Sequence, residues 1–248
     1  MLTIILNNPQ MGENIGAAAR SMLNFGLDDL RIVKPRDGWP SESAQATSSG
    51  ALDKMPEVKI FNTLSDAISD LHFTFATTVR PRDMVKPCHT PEQAMIESIK
   101  RIQKGQNIGI VFGAERSGLN NQDISKCQAI VTAQTNSDFS SLNLSQAVLL
   151  MSYEWMRAQD NYNSTHNNIK NESEHPPAKQ GELNEFIKRL ENELEERRFF
   201  RSEDLKPTMI TNIQNIFTRA DISDQELRTL HGVLSALRGN KTDNISPK

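Results

Sequence analysis

Three polar segments hold the residue types that could do chemistry. The first is Asn14-Ile15-Gly16-Ala17-Ala18-Ala19-Arg20. Its small residues let a helix pack closely and set Arg20 one turn on, near Asn14 and Gly16. The second is Phe112-Gly113-Ala114-Glu115-Arg116-Ser117-Gly118-Leu119. It carries a carboxylate and a guanidinium between glycines that allow close backbone approach to a ligand. The third is Ser140-Ser141-Leu142-Asn143-Leu144-Ser145-Gln146-Ala147, whose hydroxyls and amide could orient a cofactor or a nucleotide. Each segment alone also has a bland reading: a helix with a surface Arg, a strand-to-helix turn, and an N-cap before an apolar helix. None is a nucleotide-binding glycine loop. Gly12 and Gly16 are spaced G-x-x-x-G rather than G-x-G-x-x-G, and no Lys-Ser or Lys-Thr follows Gly118.

The elements around these segments alternate in type. Residues 3–6, 30–33, 58–61, 73–77, 107–112 and 129–133 read as short strands, several of them apolar on both faces like buried parallel strands. Residues 13–25 read as a helix stopped by Gly26. Thr90-Pro91-Glu92-Gln93 supplies an N-cap, a first-turn Pro and a capping-box Gln. A helix follows the third segment and ends near Ala158. Such alternation predicts a parallel sheet flanked by helices, with the three segments at the C-terminal ends of strands, where open α/β sheets place their sites. Residues 1–158 are read as this α/β domain. Residues 159–181, rich in Asn, Ser, charge and Pro, read as a flexible linker. Residues 182–239 carry three amphipathic helical stripes, the last capped by Ser223 and Glu226, and form a small all-helical domain expected to pack on something else. The tail 240–248 is polar and expected to be disordered.

Composition narrows the class. The chain has 248 residues, 24% of them charged, with a formal net charge of -3, so any nucleic-acid contact must rest on local patches. Two separated cysteines, Cys88 and Cys127, and scattered His residues predict neither a structural metal nor a disulfide framework, which fits a reducing cytoplasmic setting. No apolar run approaches the roughly 20 residues that span a bilayer. The opening MLTIILNNPQ has too short an apolar stretch, and no preceding base, for a secretory signal. The sequons at Asn163 and Asn171 are chance matches in an Asn-rich stretch.

In order and spacing, the three segments resemble the three signature motifs of the SpoU, or TrmH, family of RNA ribose methyltransferases. The helical tail, with Ile216-Phe217-Thr218-Arg219-Ala220 and Glu226-Leu227-Arg228-Thr229-Leu230-His231-Gly232, is similar to a TrmJ-like branch of that family. The resemblance implies a SPOUT-type α/β domain with a C-terminal trefoil knot, which no periodicity could reveal. It implies a homodimer with the active site at the subunit interface, and S-adenosylmethionine bound by Thr77, Thr78, Val79, Gly113, Ala133, Ser140, Ser141 and Leu142. It also implies tRNA as substrate, methylated on a cytidine or uridine ribose at the first position of the anticodon loop (position 32 of the tRNA). The catalytic set carried over is Arg20, Asn14, Glu115, Ser141 and Asn143.

A ribose hydroxyl needs a base within hydrogen-bond reach. By resemblance Arg20 fills that role, either losing its proton in a desolvated site or positioning a phosphate and the ribose; its usual pKa above about 12 leaves both open. Asn14 would hold Arg20 or the ribose, Glu115 would orient the site, and Ser141 and Asn143 would contact substrate or Arg20. Arg80, Arg82, Lys86, Arg197 and Arg198, with Arg201 and Lys206, are expected to contact RNA phosphates as a set, although any one of them alone reads as a solvated charge. Two alternatives remain: an rRNA target within the same family, or a non-catalytic RNA-binding module. A nicotinamide-dependent dehydrogenase is disfavoured by the missing G-x-G-x-x-G.

Overall fold

The strands are β1 (Leu2–Asn7), β2 (Asp29–Val33), β3 (Lys59–Phe61), β4 (Phe73–Thr77), β5 (Cys88–His89), β6 (Ile108–Phe112) and β7 (Ala129–Val131). They form one parallel sheet in the order β3-β2-β1-β6-β4-β7-β5 in the computed structural model, which describes residues 1–79, 85–165 and 176–239. The central strands are buried on both faces, so both layers of helices are needed to keep Ile and Val out of water. On one face Ile4, Leu6, Ile32, Ile110, Phe112 and Phe75 pack under α1 (Gly12–Asn24), α5 (Pro91–Gln103) and α7 (Leu144–Thr165). On the other, Ile5, Val33, Val111 and Ile130 pack against α4 (Leu64–Ala67) and α6 (Asn121–Ser125). Two short helices, α2 (Glu42–Thr47) and α3 (Ala51–Lys54), cover α1.

The closest helix contact explains a glycine. A Cβ at Gly16 would stand 2.1 Å from the Ala44 carbonyl oxygen, so α1 and α2 meet where one side chain is missing. The Thr90–Gln93 capping box forms with bonds of 3.0 and 3.3 Å. Gly26 takes φ +73 just past the C-cap of α1, as a helix stop requires. β5, two residues long, has no apolar run to betray it.

The C-terminal helices are α8 (Gln180–Glu196), α9 (Lys206–Arg219) and α10 (Asp224–Gly239). They share a small core of Leu183, Phe186, Ile187 and Leu227 and are laced to the sheet-bearing part. The Gln180 and Gly181 amides donate to the Leu71 and Ser69 carbonyls, each at 2.8 Å. Arg101 pairs with Asp221 at 2.9 Å while its guanidinium lies 3.8 Å over the Phe73 ring. Two expected boundaries differ. α7 continues past Ala158 to Thr165, because the stretch is polar but holds neither Pro nor Gly to break it. At the other end of the expected linker, Ala178 and Gln180 are buried. The rest of that linker, 166–175, and the tail 240–248 lie outside the described residues.

Candidate active site

The parallel register brings the C-terminal ends of β1, β6, β4 and β7 to one edge, and the three segments rise from it. α1 begins without a side-chain cap of its own. Glu115, from the loop after β6, does that work instead. Its carboxylate accepts the Gln10 amide at 2.8 Å, the Met11 amide at 3.2 Å and Asn14 Nδ2 at 2.9 Å. A carboxylate at a helix N-terminus is favoured both by unpaired N–H groups and by the helix dipole. Asn14 Oδ1 then accepts Asn143 Nδ2 at 2.9 Å, and Asn143 Oδ1 accepts the Ser145 amide and hydroxyl at 2.9 and 2.7 Å, capping α7. One chain of hydrogen bonds therefore joins Glu115, Asn14 and Asn143, one from each segment.

Beside this chain lies a cleft, partly open to solvent, with loops on one side and an apolar face of α7 on the other. Thr77, Thr78, Val79, Gly113, Ala133, Ser141 and Leu142 line it, together with Glu115. Ser140 does not; its carbonyl instead accepts the Thr135 hydroxyl at 3.3 Å. Its apolar wall includes Leu144, Ala147, Leu150 and Met151. Sequence reasoning missed these because, on α7, they look like any core-facing stripe. Thr77 and Thr132 spend their hydroxyls on the Val111 and Thr78 carbonyls, each within 2.9 Å, fixing the loops. Gly113 sits against backbone: a Cβ there would come 2.2 Å from the Gly118 carbonyl carbon. Gly118 itself adopts φ +66 and donates its amide to the Ala114 carbonyl at 2.8 Å. The result is a tight loop over an apolar slot with a polar rim, which suits a flat base carrying a polar tail.

Arg20 is exposed and donates to Ser49 Oγ at 2.9 Å. The expectation that it lies near Asn14 is corrected by helix geometry: six residues at 3.6 per turn place it about 120° around α1 from Asn14. Lys86 is also not where a phosphate ligand would be. Its Nζ donates to the Ser125 and Cys127 carbonyls and to the Thr218 hydroxyl at 3.2, 2.5 and 3.1 Å, and burial lowers its pKa to about 8. It ties the loop before β5 to α6 and α9. Arg197 pairs with Glu193 on its own helix, Lys206 pairs with Glu195 at 2.6 Å, and Arg198 and Arg201 are exposed. Arg80 and Arg82 lie outside the described residues. Among the described residues no group of His, Cys, Asp and Glu gathers as a metal site, and no helix is long and apolar enough to cross a membrane.

Residues 1–153 match the model of the SpoU rRNA Methylase family. The chain is 30% identical over 250 residues to the tRNA (cytidine/uridine-2'-O-)-methyltransferase TrmJ of Escherichia coli K12, covering 98% of each. Among solved structures, TrmJ from Z. mobilis ZM4 superposes with a TM-score of 0.86 at 43% identity, covering 96% of this chain and 99% of that one. A probable methylase family protein from Haemophilus influenzae Rd KW20 gives a TM-score of 0.62 at 29% identity, over 96% and 95%.

Proposed function

The chain belongs to the SpoU rRNA methylase family, and on that premise we propose that it is an S-adenosylmethionine-dependent tRNA ribose 2′-O-methyltransferase. The observation that carries the reading is the Glu115–Asn14–Asn143 chain at the lip of the cleft. It holds three separate loops at one geometry, as in-line transfer demands. The cleft fits the cofactor: apolar α7 side chains for the adenine, loops 77–79, 113–118 and 141–142 around it. When bound, S-adenosylmethionine supplies a methyl group already activated by its sulfonium. The residues of the chain have then to place the ribose and manage its proton.

Asn14 and Asn143 offer amides at the lip for the ribose or for Arg20, and Ser141 a hydroxyl. Arg20 is assigned the base role. A guanidinium can take up a proton only after losing one, which needs desolvation. Its solvated place in the single chain does not provide that; a subunit interface does. A homodimer is therefore part of the proposal, with Arg20 of one copy facing the cleft of the other. An apolar stripe supports it: Leu149, Tyr153 and Met156 are exposed at helical spacing on α7, which packs along α1. The knotted path of the chain, the cytoplasmic setting, and the cytidine or uridine ribose at the start of the anticodon loop belong to the same proposal. For RNA capture we retain Arg198 and Arg201.

The test is incubation with bulk tRNA and methyl-labelled S-adenosylmethionine, with Arg20→Ala as control, followed by digestion to nucleosides. Label in a 2′-O-methylcytidine or 2′-O-methyluridine, lost in the variant while cofactor binding survives, is the expected result. Near-normal turnover by the variant would overturn the role of Arg20. No label in tRNA, with the cofactor still bound, would overturn the substrate.

A further inference from the structure

A second cleft, open to solvent, adjoins the first. The two share Ala114, Ser117 and Gly118 as a common wall. The rest of the second cleft is polar: Asn8 and Gln10 from the loop after β1, Lys34 and Arg36 from the loop after β2, and Asn120 with Asp123 at the start of α6. Unlike the cofactor slot it has no large apolar side chain in its lining, and it presents two cations.

The cations are held by unusual backbone. Asn8 and Lys34 both adopt left-handed conformations, φ +54 and +45, which cost energy in residues other than glycine. The strain is braced: the Asn8 amide donates to the Val33 carbonyl at 2.8 Å, the Lys34 amide to the Phe61 carbonyl at 3.1 Å, and the Arg36 amide to the Pro9 carbonyl at 3.0 Å. The β2 loop is thereby stitched to the same β1 loop whose Gln10 amide Glu115 holds.

The charges are available. Lys34 is exposed, and no ion pair of its ammonium occurs among the described residues. Among the described residues Arg36 ion-pairs with its exposed neighbour Asp37, at 2.8 and 3.2 Å, and also feels the charge of the Glu115 carboxylate; water weakens such contacts, and a phosphate can displace the Asp37 pair by bidentate pairing. The one carboxylate in the wall, Asp123, is turned to its own helix start and accepts the Asn120 amide at 3.2 Å.

We propose that this cleft is a substrate subsite: Lys34 and Arg36 bind a backbone phosphate of the RNA strand next to the nucleotide being methylated, and Asn8 and Gln10 its sugar edge. The proposal rests on the RNA methyltransferase reading of the first cleft. Two clefts sharing one wall match consecutive sugar and phosphate groups of a single strand, and the strand must pass the shared wall for its ribose to reach the Asn14–Asn143 lip. These contacts position the strand and carry no sequence information.

The test uses the full chain with tRNA. For the Lys34→Ala/Arg36→Ala double variant, the expected result is a KM for tRNA raised on the order of tenfold, with S-adenosylmethionine affinity unchanged. The salt slope of tRNA binding should flatten by roughly 0.7 to 0.9 units for the one phosphate no longer neutralised. The charge-conserving Lys34→Arg/Arg36→Lys variant should recover most of the binding. An active wild type with an unchanged KM and slope in the double variant would overturn the subsite alone. Loss of cofactor affinity in the double variant would also overturn it, by making the two residues structural. A wild type that labels no RNA would instead overturn the reading beneath it.

Discussion

Glu115 shows how one side chain can serve fold and site together. Three donors converge on its carboxylate, so the start of α1 is set by a residue a hundred positions away in sequence. Asn14, Glu115 and Asn143 could be picked out from sequence because the three segments that hold them resemble, in order and spacing, the motifs of one RNA methyltransferase family. Lys86 could not be placed correctly, because nothing in its neighbours announces the carbonyls that surround it in space. Its burial has a measurable consequence. Folded, the ammonium gives up its proton near pH 8; unfolded, at its ordinary value of 10.5. Between these the unfolded chain binds more protons, so the contribution of Lys86 to stability should rise as pH climbs from about 8 to 10.5. The buried Cys127 thiol, pushed up to about 11 from 9.0, works in the opposite sense over part of that range. Urea unfolding of wild type against Lys86→Met isolates the Lys86 term. A difference in stability that stays flat across this range would contradict the assignment.

At the level of elements, the site is a set of loops clamped by close backbone contacts. Gly113 is among the tightest, and Gly113→Ala must displace the 118–119 backbone, since its Cβ would also stand 2.3 Å from the Leu119 nitrogen. Overpacking of this kind costs about 1–3 kcal/mol, so cofactor affinity should fall on the order of tenfold or more, as titration calorimetry would read. An affinity equal to wild type would show that the loop is not the cradle described. Strand positions were readable because buried parallel strands are continuous apolar runs. The two-residue β5 and the last turns of α7 were not: the first is made by pairing with β7, and the second is a polar helix whose composition looks like a linker.

For the whole molecule, the position of Arg20 decides the architecture of catalysis. It donates to Ser49, whereas Asn143 and Asn14 bond to each other, and under the proposed base role a complete site would take a second copy. Mixing inactive Arg20→Ala with inactive Glu115→Gln should restore part of the methyl transfer, because one of the two sites in a mixed dimer would hold neither change. Tyr153→Glu on the apolar stripe should yield monomers by sedimentation and abolish turnover. A monomeric wild type with full activity would refute the arrangement. The C-terminal helices are fastened through Arg101–Asp221, Lys86–Thr218 and the Gln180 amide, which fixes the exposed Arg198 and Arg201 relative to the sheet.

The alternation of strands and helices made the class of fold legible in the sequence, since periodicity is a local property written along the chain, and the three polar segments gained a chemistry only through their joint resemblance to one family's motifs. The tertiary structure alone decided which side chains meet. That Asn14 faces Glu115 and Asn143 while Arg20 turns to Ser49, that Lys86 is spent inside, and that Lys34 and Arg36 rim a second cleft all depend on helix phase and loop closure. Those are set by packing between residues far apart in sequence, where no local pattern reaches.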